Sequence, residues 1–207
     1  MIKTVIFDLG GVVLPLNPQQ AIQRFEQLGV KDAATQLDSY TQQGIFGQLE
    51  GGLIDEETFR KEFQKLYGRA VSFEECCYAW QGYARGDVPQ RNLDTLLQLR
   101  QQGYRVILLS NTNPFMMEWV ASNRFDGQGH GIAHYFDALY LSYQMKLMKP
   151  SEEIFMCVLM AEQTSPSNCL FIDDGIRNVA AASQIGMKTM CPENGADWTK
   201  EIYQHLK

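Results

Sequence analysis

Short apolar runs alternate along much of this chain with longer segments in which apolar residues recur at helical spacing. Five of these runs are too short for helices and are predicted as strands, over residues 2–7, 104–109, 138–141, 169–172 and 187–190. Helices are predicted over residues 90–102, 114–123, 151–162, 176–185 and after 197. Alternation of this kind is typical of an α/β fold, a doubly wound parallel-sheet (Rossmann-like) core.

Residues 17–86 interrupt the alternation, because they contain several predicted helices and no clear strand. Asn17 and Asp55 are predicted helix caps, and Ser72 with Glu75 has the spacing of a capping box. The expected helices cover residues 18–28, part of 31–49, 56–67 and 73–84. We therefore expect a helical cap at 17–86, inserted into an α/β core formed by 1–16 and 87–207.

Composition and charge limit the kinds of partner and the cellular location that are expected for this chain. The net charge is −6 and no Lys/Arg cluster is present, so a nucleic-acid footprint is not expected. No segment approaches the length of a membrane span, and Asp8 interrupts the apolar amino terminus, unlike a signal peptide. The five cysteines are odd in number and lack C-x-x-C spacing, which favours reduced thiols in a cytoplasmic protein. The oligomeric state stays open.

Polar residues follow three of the predicted strands where each strand ends, and Lys149 lies at a loop-to-helix junction just before Pro150. Because parallel strands share one carboxyl edge, these groups are expected to meet there. A carboxylate can attack phosphorus, paired acids can hold Mg²⁺, and hydroxyl, amide and ammonium groups can hold phosphoryl oxygens. Each group also has a plainer interpretation, as a turn, an exposed lysine or a helix cap, although one cap does not explain two adjacent acids. The groups are Asp8, Ser110-Asn111, Lys149 and Asp173-Asp174.

In order along the chain, F-D-x-G-G-V-V, S-N-T-N, K-P and D-D-x-x-x-N resemble the motifs of the haloacid dehalogenase-like hydrolase superfamily. The resemblance covers nearly the whole chain, and within the superfamily it is nearest to the branch containing bacterial α-D-glucose-1-phosphate phosphatase. It implies that Asp8 is the nucleophile and a metal ligand. It further implies metal contacts from Asp174 and the Gly10 carbonyl, phosphate binding by Ser110, Asn111 and Lys149, and an outer shell of Asp173 and Asn178.

The resemblance implies a Mg²⁺-dependent phosphatase that acts on a small phosphorylated metabolite, such as a sugar phosphate, through an aspartyl-phosphate intermediate. Two alternatives stay open, a metal-independent dehalogenase-type hydrolase and a catalytically weak phosphometabolite-binding protein. One departure bears on them: Gly10 stands where most phosphatases of the superfamily carry an aspartate as general acid. Sugar 1-phosphates, whose leaving groups are less basic, would need that acid less.

A few further side chains are weaker candidates. His130 and His134 lie four residues apart in a glycine-rich stretch, but they lack an evident third zinc ligand and are better explained as solvated. Trp80 is expected in the core. Phe115 and Trp119 follow the Ser110-Asn111 pair closely and are the aromatic residues expected to meet substrate.

Overall fold

The computed structural model describes residues 1–38, 44–84 and 88–206, and these build a five-stranded parallel sheet flanked by helices. Phe7 pairs with Leu108 on one side and with Ile172 on the other, so the strand before Asp8 is central. The predicted α/β class and all five strands are confirmed. The strands are β1 (Thr4–Phe7), β2 (Arg105–Ser110), β3 (Ala138–Leu141), β4 (Cys169–Ile172) and β5 (Lys188–Met190), in the order β3-β2-β1-β4-β5.

Helices follow most of the predicted segments. Those in the described residues are α1 (Pro18–Gln27), α2 (Ala33–Gln36), α3 (Gly44–Glu50), α4 (Glu56–Tyr67), α5 (Phe73–Trp80), α6 (Gln90–Gln101), α7 (Pro114–Val120), α8 (Ser142–Met145), α9 (Glu152–Ala161), α10 (Ile176–Gln184) and α11 (Ile202–His205). Helix α8 was not predicted. The predicted partial helix at 31–49 appears as α2 and α3, and residues 39–43 between them lie outside the described residues.

Capping residues set the ends of several helices as predicted. The side chains of Asn17 and Asp55 accept hydrogen bonds from backbone N–H groups of α1 and α4, and the Ser72–Glu75 capping box begins α5. Ser151 occupies the N-cap position of α9 but makes no capping hydrogen bond with its side chain. Helix α5 ends at Trp80, four residues earlier than predicted, because a tighter turn of 3₁₀ helix follows it.

Both faces of the sheet are covered, which explains why the central strands β1, β2 and β4 are mostly apolar rather than alternating. Phe7 and Leu108 face a cluster that includes residues of α6 and α7. Ile6 and Ile107 face the opposite way, toward α9 and α10. Within the described ranges, no helix is both long and apolar enough to cross a membrane. All five cysteines are free thiols.

A separate, largely aromatic cluster holds α1, α3, α4 and α5 together. The rings of Phe25, Phe46 and Trp80 pack at centroid distances of 5.2–5.8 Å. Phe115 of α7 also belongs to this cluster, so it joins the helical segment to the sheet-bearing part. The division of the chain at 16/17 and 86/87 stays a prediction, and residues 86 and 87 lie outside the described parts of the chain.

The end of α3 is attached directly to the sheet-bearing part. The Ser142 hydroxyl lies 2.6 Å from the Glu50 carbonyl oxygen. Gly52 has a φ of +65°, and a Cβ there would overlap the Tyr143 carbonyl oxygen. Only glycine allows this close approach, so α3 ends at a fixed place relative to β3 and α8.

Substitution of Gly52 measures this attachment. Gly68 is the matched control, because its φ of +69° is nearly the same while a Cβ there would meet nothing within 4 Å. We expect Gly68→Ala to lower the free energy of unfolding by about 1 kcal/mol, the cost of left-handed backbone alone. Gly52→Ala should cost at least about 1 kcal/mol more, because the Tyr143 backbone must also move. Urea denaturation midpoints measure both, and equal losses would contradict the attachment.

Candidate active site

A cavity of about 260 Å³ opens at the carboxyl ends of the strands, between the sheet and helices α2, α3 and α5. This is the edge at which open α/β sheets bind ligands. The sequence-predicted site residues all line it: Asp8, Gly10, Ser110, Asn111, Lys149, Asp173, Asp174 and Asn178. The structure therefore brings together the groups that the sequence placed at separate strand ends.

Lys149 is a buried positive charge of the site, with an exposed fraction of 2%. Its Nζ lies 2.9 Å from Asp8 Oδ1 and 2.6 Å from Asp173 Oδ2. Burial by itself lowers the pKa of Lys149, but the charges of Asp173 and Asp8 outweigh it and hold the pKa above its usual range. The ammonium is thus a permanent positive charge beneath the candidate nucleophile.

Asn111 fixes the main chain of this lysine. Its side-chain amide donates to the Lys149 carbonyl at 2.8 Å, and its side-chain oxygen accepts the Lys149 N–H at 2.9 Å. Ser110 ends β2 directly before it and is buried. The geometry therefore gives the Asn111 side chain a positioning task that the sequence did not reveal.

Asp173 is completely buried and heavily hydrogen-bonded. Besides Lys149, it accepts from the Gly175 N–H at 2.8 Å and from Asn178 Nδ2 at 3.0 and 3.1 Å. Its oxygens are occupied by donors from the protein. This arrangement fits a residue that orients the site from behind.

The negative charges of Asp8 and Asp174 are compensated less fully than that of Asp173. Burial raises the pKa of Asp8 to about 7, and burial together with the charge of Asp173 raises that of Asp174 to about 6. Oxygens of Asp8, Asp173 and Asp174 lie within 4.8 Å of one another, the only such group of three possible ligands within the described parts of the chain. A bound cation would relieve this repulsion between carboxylates.

The turn after Asp8 brings the backbone close to these acids. Gly11 has a φ of +76°, and a Cβ there would overlap the Asp174 carboxylate. Asn92 Nδ2 and Trp198 Nε1 donate to the Val12 carbonyl at 3.2 and 2.8 Å, which holds the turn in place. The glycine pair thus serves the packing of Asp174 as well as the turn itself.

At Gly10 the space for a side chain is already taken. A Cβ there would lie 2.8 Å from Cδ1 of Leu16. The acid that most phosphatases of the resembled superfamily carry at this position is absent from this chain, and a side chain there would require Leu16 to move.

The wall of the cavity opposite Asp8 comes from the helical segment, and sequence reasoning missed most of it. Glu50 ends α3, and its Oε1 lies 3.5 Å from Asn113 Nδ2, in the loop that follows Ser110. No motif marks these residues, because only the docking of α2, α3 and α5 brings them to the cavity. They are Gln36, Asp38, Phe46, Glu50, Trp80 and Tyr83.

Two expectations about aromatic residues are wrong. Phe115 is completely buried, with its ring 5.6 Å from that of Phe59, and Trp119 packs on Phe125 at 5.4 Å. Neither lines the cavity, because the face of α7 that carries them points into the packing. Trp80, for which a place in the core was preferred over one in a pocket, is both buried and part of the cavity wall.

The two loop histidines form no evident metal site. Their rings stack at 4.1 Å, and His130 Nδ1 lies 2.8 Å from Asp126 Oδ2. Among the residues that the structure describes, no further ligand completes a zinc-type set around them.

Comparison with known proteins identifies similar hydrolases. A D-ribitol-5-phosphate phosphatase from Bacteroides thetaiotaomicron is 45% identical over 202 residues, covering 98% of this chain and 97% of its own. The structure of a HAD-like family hydrolase from Porphyromonas gingivalis superposes with a TM-score of 0.95 at 38% identity, covering 100% of this chain and 98% of that one.

A HAD family enzyme from B. thetaiotaomicron, solved in complex with magnesium and inorganic phosphate, gives a TM-score of 0.87 at 36% identity, covering 97% and 99% of the two chains. The finer likeness to the α-D-glucose-1-phosphate phosphatase branch stays a prediction. The model of the haloacid dehalogenase-like hydrolases matches residues 2–186, and this chain belongs to that family.

Proposed function

We propose that this chain is a Mg²⁺-dependent phosphatase that hydrolyses the phosphate ester of a small polyhydroxylated metabolite. The observation that carries the proposal is the placement of Asp8 in the cavity. The buried ammonium of Lys149 lies below it, and the carboxylate of Asp174 lies beside it. The 45%-identical relative, a phosphatase of D-ribitol 5-phosphate, supports the same reaction class. The chain is a phosphoric monoester hydrolase.

Magnesium fits the donor set of the site. Mg²⁺ prefers oxygen ligands and usually takes one or two carboxylates together with substrate phosphate and water. Asp8, Asp174 and the Gly10 carbonyl are the ligands in this proposal, while Asp173 and Asn178 hold the lysine and the local backbone. When bound, the ion neutralises charge on the phosphoryl oxygens. The related enzyme solved with magnesium and phosphate supports this choice of cation.

In this proposal, each side chain of the site has its own role in the reaction. A carboxylate oxygen of Asp8 attacks phosphorus, the bond to the leaving oxygen breaks, and an aspartyl phosphate forms. Water next attacks phosphorus and releases inorganic phosphate and free Asp8. Lys149 keeps its charge throughout and offsets negative charge at the nucleophile, while Ser110 and the backbone beside Asn111 hold phosphoryl oxygens.

The wall of the cavity that comes from the helical segment favours a leaving group rich in hydroxyls. Gln36, Asp38 and Glu50 offer hydrogen-bond acceptors for hydroxyls, and Trp80 and Phe46 offer apolar surface. A sugar or sugar-alcohol phosphate fits this mixture, and the relative's named substrate belongs to that class. The cytoplasm, which free thiols favour, is the location in this proposal.

The central test is replacement of the nucleophile. Asp8→Asn should abolish phosphate release, by at least about 10³-fold, because an amide cannot form the acyl phosphate. The measurement is inorganic phosphate released from a panel of sugar, sugar-alcohol, nucleotide and acid phosphates with Mg²⁺. Asp94→Asn, which removes an exposed carboxylate on α6, is the control for charge. Circular dichroism should show that both variants keep the fold.

Full activity of Asp8→Asn would refute the mechanism. Binding of a phosphometabolite without turnover of any panel member would favour the weak binding protein instead. Preference for a hexose 1-phosphate over D-ribitol 5-phosphate would support the finer predicted branch.

The second test concerns the cation and its dependence on pH. The pKa values of Asp8, about 7, and Asp174, about 6, mean that protons compete with Mg²⁺ for these oxygens at pH 5 and have left by pH 8. The apparent Kd for Mg²⁺ should therefore fall by at least about tenfold between pH 5 and pH 8. Isothermal titration calorimetry measures it, with Asp174→Asn expected to bind weakly at both pH values.

EDTA should stop turnover and added Mg²⁺ should restore it. Phosphate release that persists in EDTA would contradict the metal requirement, and halide release in EDTA would revive the dehalogenase alternative.

A further inference from the structure

We propose that Glu50, at the end of α3, is the general acid of this site and takes the place of the residue missing at Gly10. The inference rests on the proposed phosphatase function. It assigns a catalytic role to a residue of the helical segment. No motif of the sheet-bearing part supplies a residue for that role.

A proton donor is needed because the leaving oxygen of a sugar-alcohol phosphate is strongly basic. General acid catalysis typically contributes 10²–10⁴-fold to such a step. Residue 10 cannot contribute, because it has no side chain and Leu16 Cδ1 lies 2.8 Å from the place of its Cβ. The donor must therefore come from another wall of the cavity.

In-line attack fixes which wall that is. Asp8 approaches phosphorus from the sheet edge, so the leaving oxygen departs on the opposite side, toward the helical segment. The titratable groups that this segment contributes to the cavity in the described residues are Asp38, Glu50 and Tyr83.

Tyr83 is a poor donor. Its hydroxyl already donates to the Leu37 carbonyl at 3.0 Å, and burial raises its pKa above the usual range. The sheet-bearing part adds Arg177, whose guanidinium does not give up its proton in proteins. The carboxyl groups of Asp38 and Glu50 remain.

Glu50 is the better placed of these two carboxyl groups. Asp38 is exposed, whereas Glu50 is half-buried in the wall of the cavity. Glu50 Oε1 lies 3.5 Å from Asn113 Nδ2, within three residues of Ser110. Its carbonyl oxygen lies 2.6 Å from the Ser142 hydroxyl, so the backbone that carries it is fixed to the sheet-bearing part.

The proton balance closes over the two half-reactions. In the first, Asp8 bonds to phosphorus, the phosphorus–oxygen bond to the leaving group breaks, and the Glu50 carboxyl proton passes to the leaving oxygen to give an alcohol. In the second, the Glu50 carboxylate takes a proton from water, whose oxygen bonds to phosphorus while the bond to Asp8 breaks. Glu50 ends protonated, as it began, and phosphate is released.

The test compares two leaving groups in the same variant. Glu50→Gln keeps the size of the side chain but cannot donate this proton. Its kcat/KM should fall about 10²–10⁴-fold for D-ribitol 5-phosphate, whose alkoxide needs protonation. For p-nitrophenyl phosphate, which leaves as a stable anion, kcat/KM should change by less than about threefold. Since the second half-reaction also loses its base, a burst of nitrophenolate stoichiometric with enzyme should precede slow turnover.

Glu57→Gln is the matched control. It makes the same chemical change on the same helical segment, but its side chain is 68% exposed and pairs only with Lys61 among the salt bridges of the described residues. It should leave both substrates unaffected. Glu50→Asp, which keeps a carboxyl group, should recover part of the D-ribitol 5-phosphate activity and tests the proposal if the Gln variant does not fold.

Equal losses on the two substrates, or no loss on either, would overturn the role of Glu50 while leaving the phosphatase function intact. A wild-type protein that hydrolyses neither substrate with Mg²⁺ would overturn the proposed function, and this inference with it.

Discussion

The buried ammonium of Lys149 is the interaction on which the rest of the site depends. Three carboxylates crowd the carboxyl edge of the sheet, and one cation lies among them with 2% of its surface exposed. Removing one member of a buried charge pair typically costs 3–5 kcal/mol, because the other charge is left without compensation. The lysine therefore requires Asp8 and Asp173 as much as they require it, and the parallel strands β1 and β4 supply the two acids side by side.

How much of this the sequence could predict follows from the range of each interaction. Strands and caps depend on neighbouring residues, so β1 to β5 and the caps at Asn17 and Asp55 were predicted. The site residues of the sheet were also predictable, since parallel strands bring their carboxyl ends to one edge. Glu50 and Trp80 reach the cavity only through the docking of helices, which no local pattern encodes. Phe115 was misplaced because the neighbouring helices decide which face of α7 is buried.

The helical segment contributes more than a cover. Its aromatic cluster receives Phe115 from α7, and its helix α3 ends against Ser142 and Tyr143. The hydroxyl of Ser142 also accepts the Thr112 N–H at 3.0 Å, so one buried side chain connects the end of α3 with the loop after β2. The sheet edge that carries the nucleophile and the opposite wall of the cavity are consequently connected through Ser142. The distance between them is therefore fixed once the chain has folded.

The Leu16 side chain takes the space beside Gly10, and this also limits which substitutions the site accepts. An aspartate introduced at residue 10 would require the Leu16 side chain to move, because a Cβ there lies 2.8 Å from Leu16 Cδ1. Substitutions in contact do not act additively. The two positions are therefore coupled, and the cost of an aspartate at residue 10 depends on which side chain stands at residue 16.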